Sequence, residues 1–154
     1  MDPKIVDRDA FKVMGVIGHF DSVAEDHSPL WEKDFMMFHD QIKSLSTGAG
    51  YYGVYLGADH TKLMDILAGM VVQDAAGAPA GVEVREVPAA TYAVFECLFQ
   101  EIGSTYGYIW DEWLESSAYE QDMAKLGFDY YPPATTDGSS PMEIWLPIKK
   151  KVGK

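Results

Sequence analysis

The sequence has a single cysteine, Cys97, which excludes an internal disulfide framework and fits a reducing compartment. It also lacks any apolar run close to the roughly 20 residues needed to cross a membrane. Residues 1–20 show no basic start followed by an apolar core and a small-residue cleavage site, so we expect no signal peptide. Together these absences predict a cytoplasmic protein.

Basic residues are scarce: 12 Lys and Arg stand against 24 Asp and Glu, which gives a formal charge of −12. A surface of that sign repels phosphate backbones, so we expect no direct binding to nucleic acid. The same charge is compatible with cationic ligands and with a protein partner that normally contacts DNA. The four histidines show no metal-ligand spacing and glycine-rich phosphate signatures are absent, so we expect neither a metal nor a cofactor.

Hydrophobic periodicity predicts the same order of elements twice in this chain of 154 residues. Each half is predicted to contain one or two strand segments, a helix and two further strands. In the first half these are strand segments within residues 5–20, bent near Gly15 or Gly18, a helix from Ser28-Pro29 to Leu45, and strands at 51–57 and 63–73. In the second half they are strand segments at 82–87 and 91–99, a helix capped by Ser104, and strands at 128–131 and 141–148.

The final strands of the two halves align residue by residue. Met64-Asp65-Ile66-Leu67 matches Met142-Glu143-Ile144-Trp145 at a displacement of 78 residues, and a small-residue connector at 74–80 separates the halves. We therefore predict one domain over residues 1–154, with repeat one at about 4–73 and repeat two at about 82–150. The predicted fold class is α+β, with two pseudo-symmetric repeats that form an antiparallel sheet and two main helices around a ligand cleft.

The closing strand, residues 141–148, carries an unusual pair of side chains. Alternation places Glu143 and Trp145 on one face and an apolar set on the other. The apolar set is Met142, Ile144, Leu146 and Ile148. Glu143 is then either an ordinary exposed strand residue or the anionic floor of a pocket between the two halves, and the alternation leaves both interpretations open.

Several motifs, taken in order, resemble the GyrI-like small-molecule-binding domain. They are YAVF at 92–95, WLESSAYE at 113–120, FDYY at 128–131 and MEIWLPI at 142–148. The same domain is the effector-binding module of AraC-type and BmrR-type bacterial transcription regulators, and this chain is similar to a stand-alone, multidrug-binding member. The chain departs from the family pattern at Asp129, where the FDYY strand more often carries Glu.

The resemblance implies a binding site for a small organic molecule, cationic and often aromatic. In the family a glutamate of the closing strand receives the cation, and by motif position that residue is Glu143, with Trp145 beside it on the same face. Trp110, on the apolar stripe of the second helix, and Tyr55 and Tyr131, on short aromatic strands, are further candidates for the pocket walls. No residue is assigned a catalytic role.

Two alternatives to simple binding stay open. Some stand-alone relatives are described as hydrolases of strained cyclopropane-containing toxins, and in such an enzyme Glu143 would move a proton. Gyrase-inhibitory relatives imply instead a protein partner, with the acidic surface occupying the DNA-binding face of an enzyme such as gyrase. Whether the chain is an enzyme is therefore undecided at this level, with binding as the main prediction.

Overall fold

The computed structural model describes residues 2–20, 28–56, 64–133 and 139–152, and these ranges contain nine strands and two helical segments. The strands before the connector are β1 (Lys4–Arg8), β2 (Phe11–Phe20), β3 (Tyr51–Tyr55) and β4 (Met64–Val72). Those after it are β5 (Glu83–Val87), β6 (Ala90–Leu98), β7 (Tyr119–Gln121), β8 (Phe128–Tyr131) and β9 (Pro141–Lys150). The short strand β7 has no counterpart in the sequence-based prediction.

Both helical segments contain one π-helical turn. The first segment is helical from residue 28, contains the π turn Leu30–Phe35 and, after a break at residues 36–38, continues as α1 (His39–Leu45). The second segment consists of a 3-10 turn at Phe99–Glu101, then α2 (Ile102–Tyr108), the π turn Ile109–Trp113 and α3 (Leu114–Ser116). No helix among the described residues is long and apolar enough to cross a membrane.

The second helical segment starts five residues before Ser104, so the predicted cap at Ser104 is wrong. The Glu101 carboxylate accepts a hydrogen bond from the Leu98 backbone N–H at 3.2 Å and closes the first turn. The Ser104 and Thr105 hydroxyls both donate backwards to the Glu101 carbonyl, at 3.0 and 2.8 Å. A hydroxyl that bonds to a preceding carbonyl lies inside a helix rather than at its start, which explains the difference.

The sheet is antiparallel throughout, in the order β1-β6-β9-β8-β3-β4-β2-β5, and β7 pairs with the end of β9. Exchanging each strand for its counterpart in the other half (β1 with β5, β2 with β6, β3 with β8, β4 with β9) reverses this order. The arrangement is therefore pseudo-two-fold, and the central pair β3–β8 lies at the axis. The predicted fold class is confirmed, whereas the limits of the repeats stay a prediction.

The glycines of β2 do not interrupt the strand. The chain breaks instead at Asp9-Ala10, between β1 and β2, and β2 runs through both Gly15 and Gly18. Gly15 pairs with Gly69 of β4, and a Cβ at Gly15 would lie 2.0 Å from the Ala68 carbonyl oxygen. The role of Gly15 is therefore the close approach of two strands, which a side chain at this position would prevent.

The two faces of the sheet differ in what covers them. Both helical segments pack on one face, above two buried clusters that contain Met14, Ile66 and Ala68 in the first half and Phe95, Ile144 and Leu146 in the second. The other face carries no helix within the described part of the chain and has its own buried cluster around Tyr92 and Phe128. We call these the helix-covered face and the helix-free face.

Candidate ligand-binding site

Asp129 is a buried carboxylate near the pseudo-two-fold axis, on the helix-covered face. It lies on β8, pairs directly with Gly53 of β3 and is 1% exposed. The alternation of the FDYY strand sends Phe128 and Tyr130 to the helix-free face and Asp129 and Tyr131 to the opposite one. A carboxylate in this position is removed from water at the junction of the two halves.

Three tyrosine hydroxyls surround the Asp129 carboxylate. The hydroxyl of Tyr55, at the end of β3, donates to Oδ2 at 2.5 Å, and that of Tyr106, in α2, donates to Oδ1 at 2.5 Å. Tyr131, two residues along β8, donates a third hydrogen bond to the carboxylate. The donors come from both halves of the chain, so the site exists only when the two repeats are packed together.

Burial raises the pKa of the Asp129 carboxyl from 3.8 to about 6, against the opposing effect of the three phenol hydrogen bonds. Burial, together with the negative charge of Asp129, also raises the pKa of Tyr55, Tyr106 and Tyr131 well above the ordinary value. The phenols therefore stay protonated as donors at neutral pH. Among the described residues, none of the ion pairs supplies a cation to Asp129.

Aromatic rings from both halves contact Tyr131, one of the three donors to this carboxylate. Trp31, in the first π turn, meets Tyr131 edge to face with ring centroids 5.5 Å apart, and Phe99 meets Tyr131 at 5.7 Å. The Trp31 and Tyr131 rings lie over Gly53, since a Cβ at that position would be in ordinary van der Waals contact with them, at 3.4 and 3.8 Å. Phe99 is 42% exposed and the rings of Trp31 and Tyr131 are partly exposed, so these walls remain accessible to a ligand.

The two π turns occupy equivalent places in the repeats. Trp31 and Trp110 are 79 residues apart, and each lies within its π turn, close to the start. Trp110 packs, partly exposed, against the buried cluster beneath the second helical segment. Single π-helical turns are frequent at functional sites, and here they turn one tryptophan of each half towards the same face of the sheet.

Glu143 and Trp145 lie on the helix-free face and therefore on the other side of the sheet from Asp129. The Trp145 indole N–H donates to the Glu143 carboxylate at 3.0 Å, and the indole stacks on Phe128 at 5.2 Å between centroids. Glu143 pairs with Glu96 of β6 and Tyr130 of β8 in the sheet. One ligand cannot contact Asp129 and Glu143 together, because the sheet separates them.

The structure divides the five residues that the sequence predicted for the site. Tyr55 and Tyr131 meet at Asp129, and Trp110 lies on the same face, whereas Glu143 and Trp145 lie opposite. The sequence-based assignment omitted Asp129, Tyr106 and Trp31. The signal for Asp129 was an acid inside an aromatic strand, noted above only as a departure from the family pattern. The signal for Trp31 and Tyr106 was an aromatic residue on the apolar stripe of each helix, a position that does not by itself distinguish a pocket wall from core.

A family model described as Cass2, integron-associated effector binding protein, matches residues 4–148. The comparison with curated proteins found no match. A solved structure of SAV2435 bound to tetraphenylphosphonium has the same fold, with a TM-score of 0.76 and 16% identity over 97% of this chain and 94% of that one.

Two further structures share the fold. The integron cassette protein VCH_CASS2 from Vibrio cholerae gives a TM-score of 0.70 at 17% identity, over 96% of both chains. A putative bacterial transcription regulation protein from Staphylococcus aureus gives 0.70 at 15% identity, over 97% of this chain and 99% of that one. At these identities the likeness shows the fold alone.

Proposed function

Because this chain belongs to the Cass2 family of integron-associated effector binding proteins, we propose that it binds a bulky organic cation over Asp129, in the cleft between the two helical segments. Effector binding by the family supports a small-molecule ligand. The chemistry of the ligand, and the residues that receive it, are our proposal from the geometry around Asp129.

The observation that carries the proposal is a buried carboxylate that has hydrogen-bond donors but no counter-charge among the described residues. Moving a carboxylate out of water costs several kcal/mol unless a cation accompanies it. Three phenols stabilise the charge of Asp129 without neutralising it, as its raised pKa indicates. A cationic ligand would supply the missing charge in a site of low dielectric constant, where the attraction is strong.

The aromatic walls favour a cation that is also apolar. Each ring face within about 6 Å of a cationic centre contributes roughly 0.5–2 kcal/mol, and the apolar body of the ligand gains from burial. Trp31, Phe99 and Tyr131 supply such surfaces from both halves. Tetraphenylphosphonium, the molecule bound to SAV2435, has this combination of charge and aromatic surface and is therefore a suitable probe.

The number of free acceptor sites on the Asp129 carboxylate further limits the chemical class of the ligand. A carboxylate offers about four lone-pair sites, and three donors from Tyr55, Tyr106 and Tyr131 already use most of them. A primary ammonium would bring three N–H donors into a site with few free acceptors, and each buried unsatisfied donor costs about 1–3 kcal/mol. We therefore propose that the ligand is an onium or charge-delocalised cation with few or no N–H groups.

Cation affinity should depend on pH through Asp129. The free carboxyl has a pKa of about 6, and a bound cation lowers it by favouring the charged form. Affinity for tetraphenylphosphonium is thus expected to be constant above about pH 7 and to fall by up to tenfold per pH unit below about pH 6. Isothermal titration calorimetry across this range measures the effect.

The matched control for this pH series is Asp129→Asn, which has no proton to gain at this position and should show a flat profile. Tetraphenylphosphonium does not titrate, so any slope belongs to the protein. A wild-type affinity that is equal at pH 5 and pH 8 would contradict the role of Asp129 as the counter-charge.

Hydrolysis is a second candidate function, favoured by one observation. A carboxyl with a pKa of about 6 lies in the range where a group can both hold and release a proton at neutral pH. In this mechanism Asp129, rather than Glu143, would protonate one carbon of the strained cyclopropane as its ring bond breaks. Water would bond to the other carbon of that bond and return its proton to the Asp129 carboxylate. Incubation with a cyclopropane-bearing alkylating compound tests it: ring-opened product should form faster with wild type than with Asp129→Asn. Equal rates would exclude it.

Three earlier expectations stay predictions. They are the role of Glu143 and Trp145 as ligand contacts, an inhibitory protein partner such as gyrase, and a cytoplasmic location. The first can be decided together with Asp129, because Glu143→Gln and Asp129→Asn remove a charge from opposite faces of the same sheet.

A further inference from the structure

Arg8, on the edge strand β1, directs its guanidinium onto the aromatic rings of the helix-free face. The guanidinium carbon lies 3.9 Å from the centroid of Phe11 and 5.2 Å from that of Trp145. It is also 5.4 Å from Tyr52 and 5.4 Å from Phe128. Four rings from β2, β3, β8 and β9 therefore surround one cation, and we call these four rings the aromatic box.

The box is a packed unit and carries a hydrogen-bond acceptor for its cation. Phe11 meets Phe128 edge to face at 5.4 Å, and Phe128 stacks on Trp145 at 5.2 Å. The Arg8 Nη2 donates to the Tyr52 hydroxyl at 3.1 Å. The rings hold one another in place, so the shape of the box does not depend on Arg8 alone.

Arg8 is held by rings rather than by an acid. Within the described residues no carboxylate forms an ion pair with it. The adjacent Asp7 accepts a hydrogen bond from Thr91 at 2.6 Å instead. By contrast Arg85, on the counterpart edge strand β5, pairs with Glu83 at 3.2 Å. The two arginines of the chain lie on equivalent strands, but of the two only Arg8 packs against the aromatic box.

We propose that the aromatic box is a guanidinium-binding site which the chain occupies with its own Arg8. A planar, weakly hydrated guanidinium can lie against ring faces and still donate to the Tyr52 hydroxyl, whereas the compact ammonium of a lysine keeps its hydration and cannot stack. The ligand class of this site is therefore a small planar guanidinium cation. Arg8 acts as a tethered ligand that fastens β1 to the face opposite Asp129.

The site can be reached from solvent once the Arg8 side chain is removed. Arg8 and Phe11 are both partly exposed. Arg8 also borders a groove of about 700 Å³ whose lining includes the carboxylates Asp7, Asp9 and Asp122 together with three lysines. None of the four box rings lines this groove, so a guanidinium from solution would enter the box through the space that a shortened Arg8 side chain leaves.

This inference also gives the Glu143-x-Trp145 pattern a physical meaning that does not require an external ligand. Trp145 is one wall of the box, and its indole N–H is held by Glu143. Both residues of this pattern therefore have partners within the chain: Trp145 contacts the Arg8 guanidinium, and Glu143 accepts the indole N–H of Trp145. The inference is independent of ligand binding at Asp129, since the two constellations lie on opposite faces of the sheet.

The test uses Arg8→Ala with methylguanidinium as the probe. The variant should have a Tm lower by about 5 °C, and millimolar methylguanidinium should recover part of that loss beyond the effect of equal sodium chloride. The indole N–H resonance of Trp145, identified with Trp145→Phe, should shift saturably in Arg8→Ala and stay unchanged in wild type, where the box is filled. Absence of a saturable shift in Arg8→Ala would overturn the proposal.

Two further variants keep the test decisive. Arg85→Ala removes an equal charge from the counterpart strand and should show no recovery by methylguanidinium; an equal recovery would count against the box. Arg8→Lys keeps the charge without the planar group, and it should lose nearly as much stability as Arg8→Ala. If Arg8→Ala does not fold, Arg8→Lys decides: a Tm equal to that of wild type would overturn the proposal, and a lowered one supports it.

Discussion

Asp129→Asn is expected to weaken the binding of tetraphenylphosphonium by about tenfold to hundredfold, which corresponds to roughly 1.4–2.8 kcal/mol. The substitution keeps the size of the side chain and removes the buried charge that we propose as the partner of the cation. Since Asp129 is 1% exposed, little solvent screens its attraction for a bound cation. Calorimetric titration of both proteins at pH 7.5 gives the ratio of dissociation constants.

Glu143→Gln is the matched control, because it removes a carboxylate from the helix-free face of the neighbouring strand. We expect less than a twofold effect from it. Triphenylphosphine oxide, a neutral aromatic probe, should bind wild type and Asp129→Asn alike. The opposite pattern, a large loss with Glu143→Gln and none with Asp129→Asn, would restore the site that the sequence predicted on β9.

Asp129→Asn is also expected to stabilise the unliganded protein at pH 7, by about 3 kcal/mol at most. The pKa of Asp129 is raised from 3.8 to about 6 in the folded state, and a shift of about two pH units corresponds to roughly 3 kcal/mol of preference for the neutral form. The folded state binds the proton more tightly than the unfolded chain, so this carboxyl costs stability above pH 6. Asparagine stays neutral and avoids that cost.

Chemical unfolding of the two proteins at several pH values shows whether the substitution raises or lowers the free energy of unfolding. The contribution of the protonated Asp129 carboxyl to folding stability is fully present below about pH 4 and is lost as the pH rises through about 6. The stability difference between wild type and Asp129→Asn should therefore be largest at pH 7 and shrink towards pH 4. A less stable Asp129→Asn protein at pH 7 would mean that the phenol hydrogen bonds to the charged carboxylate outweigh the cost of burying it.

The expected loss of cation affinity and the expected gain in stability of Asp129→Asn have the same physical cause. In the proposed function, the Asp129 carboxylate destabilises the empty protein and stabilises the liganded one, because the bound cation would provide the missing charge. Proteins commonly carry such destabilised groups at functional sites. The single substitution Asp129→Asn should thus weaken cation binding while it raises the stability of the unliganded protein.

Local pattern was sufficient for most of the fold. Alternation in β9 sorted Met142 and Ile144 from Glu143 and Trp145 correctly, since a side chain in a strand must point to one face or the other. The displacement of 78 residues between Asp65 and Glu143 likewise agrees with the pseudo-two-fold order of strands. The predicted start of the second helical segment, at Ser104, was too late. The Glu101 carboxylate accepts a hydrogen bond from the Leu98 backbone N–H and so closes an earlier turn, which the amino-acid pattern did not indicate.

The sequence by itself determined that this chain repeats a strand–helix–strand–strand unit, and that acids and aromatic residues share faces on its last strands. Only the tertiary structure decided which face of the sheet the helices cover and which acid is therefore enclosed. The physical reason is that alternation is a local property of a strand, whereas desolvation depends on what packs above it. Asp129 meets Tyr106 from a distant helix and loses its water, while Glu143 faces a surface whose aromatic box already holds Arg8.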